Sequence, residues 1–240
     1  MSILQNFLYD SERDHWWYQA RRTIMEHIFW KNIVTIQKKK KILSVGCGTG
    51  QELIALSHYG KVVGLDIDSV TISLCKKQGF CVEKGDICEP PFKDETFDII
   101  VAMDVIEHIE NDSKAIESLF KLLKKGGKLL ITVPACPFLW STYDEMGEFP
   151  HYRRYTYLSL YRLLSSRFTI KKLSYYNFFL FPLVFIMRKM NFGFYQQLSQ
   201  PSFFMNKVCY FIFSLEKFFL LKFSFPIGVS LIGICEKKDK

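Results

Sequence analysis

Val45–Gly50 reads VGCGTG, which sets Gly46, Gly48 and Gly50 at alternate positions around Cys47. Glycines so spaced let the backbone turn tightly and approach a ligand with no side chain in the way. A helix opening directly after them adds N–H groups that lack intrahelical partners. Three carboxylates accompany the loop. Asp66 closes KVVGLD, Asp86 follows Gly85, and Asp104 follows the run FDIIVAM that ends at Met103. A carboxylate at the end of a second strand can accept hydrogen bonds from the vicinal hydroxyls of a ribose. Asp86 is placed to meet the amino group of an adenine. The GxGxG spacing differs from the GxGxxG that marks nicotinamide dinucleotide sites. Each of these residues alone would be a turn or cap residue. Gly46, Asp66, Asp86 and Asp104 at four successive strand ends point instead to one adenosine-bearing ligand.

The elements that must position them follow from the apolar runs. Strands are expected at Lys41–Gly46, Lys61–Asp66, Phe80–Lys84, Phe97–Met103 and Gly127–Pro134. Helices are expected between them at Gln51–His58, Ser69–Gln78 and Ser113–Lys124, the last stopped by Gly126 and Gly127. Continuously apolar strands separated by helices indicate a parallel sheet covered on both faces, a doubly wound α/β architecture. Ser11 and Asp14 fit a helix start, with apolar residues continuing to about Ile36; Lys38–Lys41 reads as a solvated connector. Beyond Pro134, Thr156–Ser166 suits a helix, Phe168–Tyr176 an exposed-edge strand and Val229–Cys235 a last strand. Asn177–Phe225 lacks strand–helix alternation and reads as an insertion between the final two strands.

ILSVGCGTG, VVGLDID, GDICEPPFKDETFDIIVAMDVIEHI and LLKKGGKLLITVP, taken in order, resemble the successive motifs of class I S-adenosylmethionine-dependent methyltransferases. The resemblance covers about Ile42–Pro134. It implies a Rossmann-like, mostly parallel sheet whose last strand is antiparallel, and S-adenosylmethionine as cofactor. It further implies that Gly46, Gly48 and Gly50 cradle the amino-acid part of the cofactor, that Asp66 holds the ribose and Asp86 the adenine amine, and that Met103 lines the adenosine slot. Arg22, Cys47, Ile67, Ile87 and Asp104 complete the expected cofactor set. The flanks, His15-Trp16-Trp17 with Arg21-Arg22, then PACPFLWS, Asp144-Glu145 and HYRRYT, resemble a bacterial subgroup associated with cell-surface glycan or glycolipid synthesis. One departure is visible: GEFPH stands where the subgroup carries a Gly-His pair. The expected division is 1–40 as an N-terminal helical lid, 41–135 as cofactor-binding core, 136–176 as acceptor-side segment and 177–226 as aromatic helical insertion, all within one domain.

Methyl transfer from a sulfonium is an in-line displacement, so the protein mainly aligns nucleophile, carbon and sulfur. A hydroxyl acceptor also needs a base, and imidazole titrates near physiological pH. His108 and His151 are the candidates; His108 could equally be a capping histidine. Arg153 and Arg154 either clamp an acceptor phosphate or brace Asp144 and Glu145. Trp140 completes the expected acceptor-binding set. On the N-terminal helix Trp17 groups with Ile24 and Ile28 as core, and His15 shares a face with Arg22 as lid. No His/Cys/acid cluster shows metal-ligand spacing in the sequence, so no metal is expected.

Among 240 residues, 32 basic and 24 acidic side chains leave a net charge of +8. That excess suits an anionic lipid or membrane partner, or is simply a basic surface; no nucleic-acid partner is expected. The seven cysteines include no CxxC pair, which suggests reduced thiols in the cytosol. The N-terminus shows no signal-peptide pattern, and no apolar run is long enough to span a membrane. Lys207–Phe225 laid on a helical wheel sets Lys207, Lys217 and Lys222 opposite Phe211, Phe218, Phe219 and Phe225, with Glu216 as the exception on the apolar side. A second apolar patch, Phe178–Met187, is followed by Arg188 and Lys189. The pattern suits either a peripheral helix at the inner face of a membrane or an ordinary helix packed on the sheet. The acceptor is then expected to be a lipid-linked sugar or glycolipid, or alternatively a quinone-type precursor. A non-catalytic assembly role would give no reason to keep the glycines and Asp66 together. Oligomeric state is not legible.

Overall fold

The computed structural model describes residues 9–10, 12–32, 40–145, 149–189 and 201–238. Seven strands form one sheet in the order β3-β2-β1-β4-β5-β7-β6. They are β1 Lys40–Val45, β2 Gly60–Asp66, β3 Val82–Lys84, β4 Phe97–Met103, β5 Leu123–Pro134, β6 Phe168–Tyr176 and β7 Ser230–Lys237. β7 runs antiparallel to both its neighbours and all other pairings are parallel. The doubly wound sheet is therefore the one expected from the apolar runs, and the reversed last strand is the one that the resemblance implied.

Register decides what the sheet presents. Val45 pairs with Leu65 on one side and Ala102 on the other, so Gly46, Asp66 and Met103 emerge side by side. Asp66 pairs with Lys84, which brings Gly85 and Asp86 just beyond the same edge. Strand order reverses between β1 and β4, the crevice where ligands of such sheets bind.

Two cores cover the sheet. On one face Leu43, Ile100, Ala102, Leu129 and Ile131 pack beneath helices α4 (Asp112–Leu122) and α6 (Tyr157–Ser165). On the other, Ile42, Ile99, Val101, Leu130 and Ile232 meet Ala20, Ile24, Met25 and Ile28 of α1 (Trp16–Asn32), with Cys209 and Phe213 of α8 (Phe203–Ser214). A smaller cluster of Cys47, Leu53, Ile72, Cys75 and Val82 seats α2 (Gln51–Ser57) and α3 (Ser69–Lys77) beside the glycine loop. Local caps set the helix starts. The Asp68 carboxylate accepts from the backbone N–H groups of Val70 and Thr71, both at 3.0 Å, and Asn111 accepts from Lys114 at 2.9 Å. Thr156 and Ser159 form a reciprocal capping box on α6.

Several boundaries differ from expectation. Ser11 and residues 33–39 lie outside the described residues; of the expected N-terminal helix, residues 12–14 are helical, His15 bends, and Trp16–Asn32 runs on as α1. Lys40 and Lys41 open β1 rather than a connector: the Lys41 N–H donates to Asp98 at 2.8 Å and its ammonium sits 5.2 Å over the Phe97 ring. β5 begins at Leu123, because Leu123 pairs with Phe97 before a register shift carries the ladder on to Lys128 opposite Ile99. Gly126, at φ +65°, takes up that irregularity, so the glycine pair sits inside the strand instead of ending the helix.

The insertion between β6 and β7 contains α7 (Phe181–Lys189), α8 and α9 (Glu216–Leu220). The single wheel over Lys207–Phe225 does not hold. The helix divides at Leu215, and Lys222 and Phe225 lie beyond α9. Glu216 explains the division: it is fully buried and its carboxylate accepts from the N–H groups of Asn177, Phe178 and Phe179 at 2.7, 2.7 and 3.0 Å. Phe225 turns inward and stacks on Phe178 at 4.9 Å. The lysines are not opposite the aromatics. Lys207 lies 4.2 Å over the Phe203 ring and Lys217 5.0 Å over Phe218, on the outer face. Arg188, expected as a surface cation, instead donates to Asp144 at 2.6 Å and to the Leu139 carbonyl at 3.0 Å.

Candidate active site

The glycine loop has the conformation its residues were read for. Gly46, Gly48 and Gly50 have φ of +63°, +50° and +92°. A Cβ on Gly46 would lie 2.5 Å from Val105 Cγ2. Only glycine meets both demands at once. Gly46 N–H donates to the Leu65 carbonyl at 2.8 Å, tying the loop to β2. The Cys47 side chain points away from the loop mouth into the small core with Cys75, so that residue offers a ligand only its backbone.

Asp66 braces the loop as well as facing its mouth. One carboxylate oxygen accepts from Gly48 N–H and the other from Asp68 N–H, both at 3.0 Å. Burial pushes its pKa up, and those backbone bonds oppose the rise. A carboxylate has about four lone-pair sites, so these backbone bonds leave it capacity to accept from a ligand hydroxyl. Ile67 beside it is an apolar side chain left 53% exposed. Asp86 is exposed and accepts from Cys88 N–H at 2.8 Å, whereas Ile87 is buried in the core. Met103 packs toward α1, where it lines a small cavity with Arg22, Met25 and Glu52.

Asp104, in left-handed backbone at φ +54°, accepts from Thr132 Oγ1 at 3.0 Å and from Arg21 Nη1 at 2.5 Å. Arg21 also donates to Glu52 at 2.6 Å, so one buried guanidinium joins α1, α2 and the end of β4. Arg22 was the arginine expected at the cofactor. Its guanidinium instead donates to the backbone carbonyls of Glu12 and Arg13, at 2.7 and 3.1 Å, and holds the N-terminal segment down. That segment lays Glu12 on the loop: the Glu12 carboxylate accepts from Thr49 N–H at 3.3 Å and from the Thr49 hydroxyl. Burial, then the nearby Glu52, raises Glu12 to about 7. His15, the other lid residue, is lowered to about 4 by burial.

On the acceptor side the chain assembles a second polar centre. His108 follows β4 in a short 3-10 turn, and His151 lies some forty positions on, yet their rings meet at 4.6 Å and 73°. His151 Nδ1 is 3.0 Å from Asp144 Oδ1, and His151 N–H donates to the Asp144 carbonyl at 2.7 Å. Burial alone would raise Asp144. The His151 hydrogen bond and the charges of Arg154 and Arg188 hold it well below the usual carboxylate range instead. Burial, then His151, lowers His108. Glu107 is completely buried, and burial with Asp104 nearby pushes its carboxyl well above the ordinary range.

Of the two readings of the arginine pair, the brace is the one present for Arg154. Its donors reach Ala135 O at 2.7 Å, Asp144 Oδ1 at 2.7 Å and Val229 O at 3.0 Å. Arg153 pairs with Asp112 at 2.8 Å and donates to Glu110 O at 2.6 Å. Trp140 is 37% exposed and its indole N–H donates to Glu145 at 2.7 Å. Arg21, Glu12, Glu52, Glu107 and Asp144 are thus the polar groups that sequence reasoning left out of the site.

A family model described as a methyltransferase domain matches residues 43–131. An uncharacterized protein of Methanocaldococcus jannaschii is 30% identical over 146 residues, 58% of this chain and 66% of the relative. A ubiquinone/menaquinone biosynthesis C-methyltransferase of Wigglesworthia glossinidia brevipalpis is 28% identical over 62% of this chain and 70% of its own length. Across the first curated relatives it matches, the chain spans between 22% and 66% of their length. In fold, an S-adenosylmethionine-dependent methyltransferase of Thermotoga maritima superposes with a TM-score of 0.61 at 19% identity, covering 98% of this chain and 99% of that one. The glycine loop and the first two carboxylates beside it, Asp66 and Asp86, fall within the stretch that matches the methyltransferase domain model, and the sheet that presents them has the fold of an S-adenosylmethionine-dependent methyltransferase.

Proposed function

We propose that the protein transfers the methyl group of S-adenosylmethionine to a hydroxyl of a lipid-linked sugar or glycolipid at a membrane surface. In this reading Gly46, Gly48 and Gly50 cradle the amino-acid end of the cofactor, and Asp66 takes the ribose diol. Asp86 meets the adenine amine and Ile67 covers the ring. Asp104, with Arg21 behind it, closes the methyl-donating end. Arg22, Cys47, Ile87 and Met103 act by shaping and holding this slot rather than by direct polar contact.

The observation that carries the acceptor assignment is the link between α7 and His151. No residue of α7 is buried, and Leu183, Phe185 and Ile186 are 45%, 36% and 52% exposed. Its Arg188 nevertheless grips Asp144, the residue that orients His151. An exposed apolar helix is thus tied directly to the candidate acceptor-activating histidine. Phe203, Phe204, Phe211, Phe218 and Phe223 add exposed aromatics elsewhere on the same insertion, with Lys207 and Lys217 among them. Exposed apolar surface of this extent marks an interaction site, and cations interleaved with it favour an anionic lipid interface. Among the described residues no helix is long and apolar enough to cross a membrane, so attachment would be peripheral.

The likeness to a quinone C-methyltransferase favours one further reading, a quinone-type precursor. Labelled S-adenosylmethionine incubated with membrane lipid extract and, separately, with a phenolic quinone precursor distinguishes the two. Label is expected in glycolipid, in a base-stable ether. Label confined to the phenol, or to a ring carbon, would overturn the acceptor assignment.

A further inference from the structure

Glu107, His108 and His151 each bring one donor atom to a common point, and the three atoms lie within 4.8 Å of one another. His108 Nε2 stands 4.0 Å from Glu107 Oε1. Nδ1 of each ring is already engaged. His108 Nδ1 is 3.3 Å from the Pro150 carbonyl, and His151 Nδ1 is 3.0 Å from the Asp144 carboxylate. A carbonyl and a carboxylate can only accept, so each Nδ1 carries a proton and Nε2 is the ring nitrogen left for a ligand. Glu107 is the independent observation. It is fully buried, and among the described residues neither carboxylate oxygen has a hydrogen-bond partner. A buried carboxyl group with both oxygens unsatisfied is rare and calls for a ligand.

We propose that Glu107, His108 and His151 form a binding site for a divalent first-row transition metal ion. Two neutral imidazoles and one carboxylate are the donor set of catalytic zinc sites, and they suit Zn²⁺ or Co²⁺ better than the oxygen-seeking Mg²⁺ or Ca²⁺. Ligand bonds of about 2.0–2.2 Å set tetrahedral donors roughly 3.4 Å apart, so the three atoms close by about 1 Å on binding. The surroundings already resemble a loaded site. Asp144 behind His151 supplies the carboxylate–histidine relay that orients metal-bound imidazoles, and Arg154, Arg188 and Ser141 N–H fix Asp144 in turn, at 2.7, 2.6 and 3.0 Å. Three protein ligands leave a fourth position open.

The use of such an ion rests on the methyltransferase reading; the site itself does not. An acceptor hydroxyl bound at the open position loses its proton to water more readily. Its oxygen pair then forms the bond to the methyl carbon, and the carbon–sulfur pair returns to sulfur. The metal would thereby do for the acceptor what a free His151 would do as a base.

The test is Co²⁺ titration of the full chain after chelator dialysis, followed by displacement with Zn²⁺. One Co²⁺ per chain is expected, with ligand-field absorption in the visible and no thiolate charge-transfer band. His151→Ala, His108→Ala and the near-isosteric Glu107→Gln should each weaken binding at least tenfold while circular dichroism and S-adenosylmethionine affinity stay unchanged. Absence of binding, a thiolate band that places the ion on cysteine, or full affinity in Glu107→Gln and His151→Ala would each overturn the site. A protein that binds the metal but not S-adenosylmethionine keeps the site and loses the methyltransferase reading; the reverse result does the opposite.

Discussion

Asp66 and Glu12 act on the same loop from opposite sides, and both make measurable claims. In the proposed reading Asp66 is the ribose acceptor, and it is also the brace on Gly48. Asp66→Ala should therefore weaken S-adenosylmethionine by about 1.5–3 kcal/mol, roughly 10- to 150-fold, the range for hydrogen bonds to a charged group. Calorimetry showing a change under threefold would remove Asp66 from the site. Glu12 sits at about 7 against an ordinary 4.5, because burial and Glu52 disfavour its charge. The folded protein then binds a proton more tightly than the unfolded chain does. Its contribution to stability is complete below about pH 4.5 and is lost as pH rises through 7. Glu12→Gln removes that loss. The variant's gain in unfolding free energy over wild type should be larger at pH 8 than at pH 5, by roughly 1–3 kcal/mol. A gain that does not change with pH would contradict this account. Arg21 shows what could have been read earlier. Trp17, Arg21, Ile24 and Ile28 fall on one helical stripe, and a cation on an apolar stripe must find a buried acid. Glu107 gives a weaker signal, since its burial depends on the Tyr152 N–H reaching back to its carbonyl from a distant loop.

At the scale of elements, Glu216 holds the insertion to the sheet. The turn after β6 puts Asn177 at φ +56° and leaves three successive N–H groups pointing inward, all accepted by this one carboxylate. Glu216→Ala should cost about 2–4 kcal/mol in urea unfolding, because the donors are left buried and unpaired; Glu216→Gln, which keeps one acceptor, should cost less. A loss below about 0.5 kcal/mol for Glu216→Ala would show that solvent reaches those groups. The parallel strands were legible to within a few residues, because their two-sided burial leaves continuous apolar runs. The start of β5 was not, since a bulge around Gly126 continues the ladder through residues that read as a helix stop. Nor was the division of the insertion at Leu215. A helical wheel assumes one axis, and the tertiary demand of the Asn177 turn decides where Glu216 must point.

For the whole molecule, the proposed function rests on two surfaces: the carboxyl edge of the sheet and the aromatic outer face of the insertion. The glycine loop and the strand ends beside it were legible because strand ends, loop glycines and carboxylates are local in sequence. The proposed acceptor centre was legible only in part: His108, His151 and Asp144 were visible as residue types, but their meeting depends on how residues 135–145 and 149–155 lie against the turn after β4. If the insertion is the membrane face, the wild type should float with anionic vesicles, less so at high salt, and the triple variant Lys207→Glu, Lys217→Glu, Lys222→Glu should stay below. Should both proteins stay below under every condition, the aromatic face is a cap on the acceptor pocket.

The central claim is that the VGCGTG loop with Asp66 binds S-adenosylmethionine. Titration calorimetry of the full chain with S-adenosylmethionine, its demethylated product and NADH tests it directly. Binding of the first two at micromolar affinity, usual for small cofactors, with no heat from NADH, is the expected result. Binding of NADH with none of S-adenosylmethionine or its product would contradict the account.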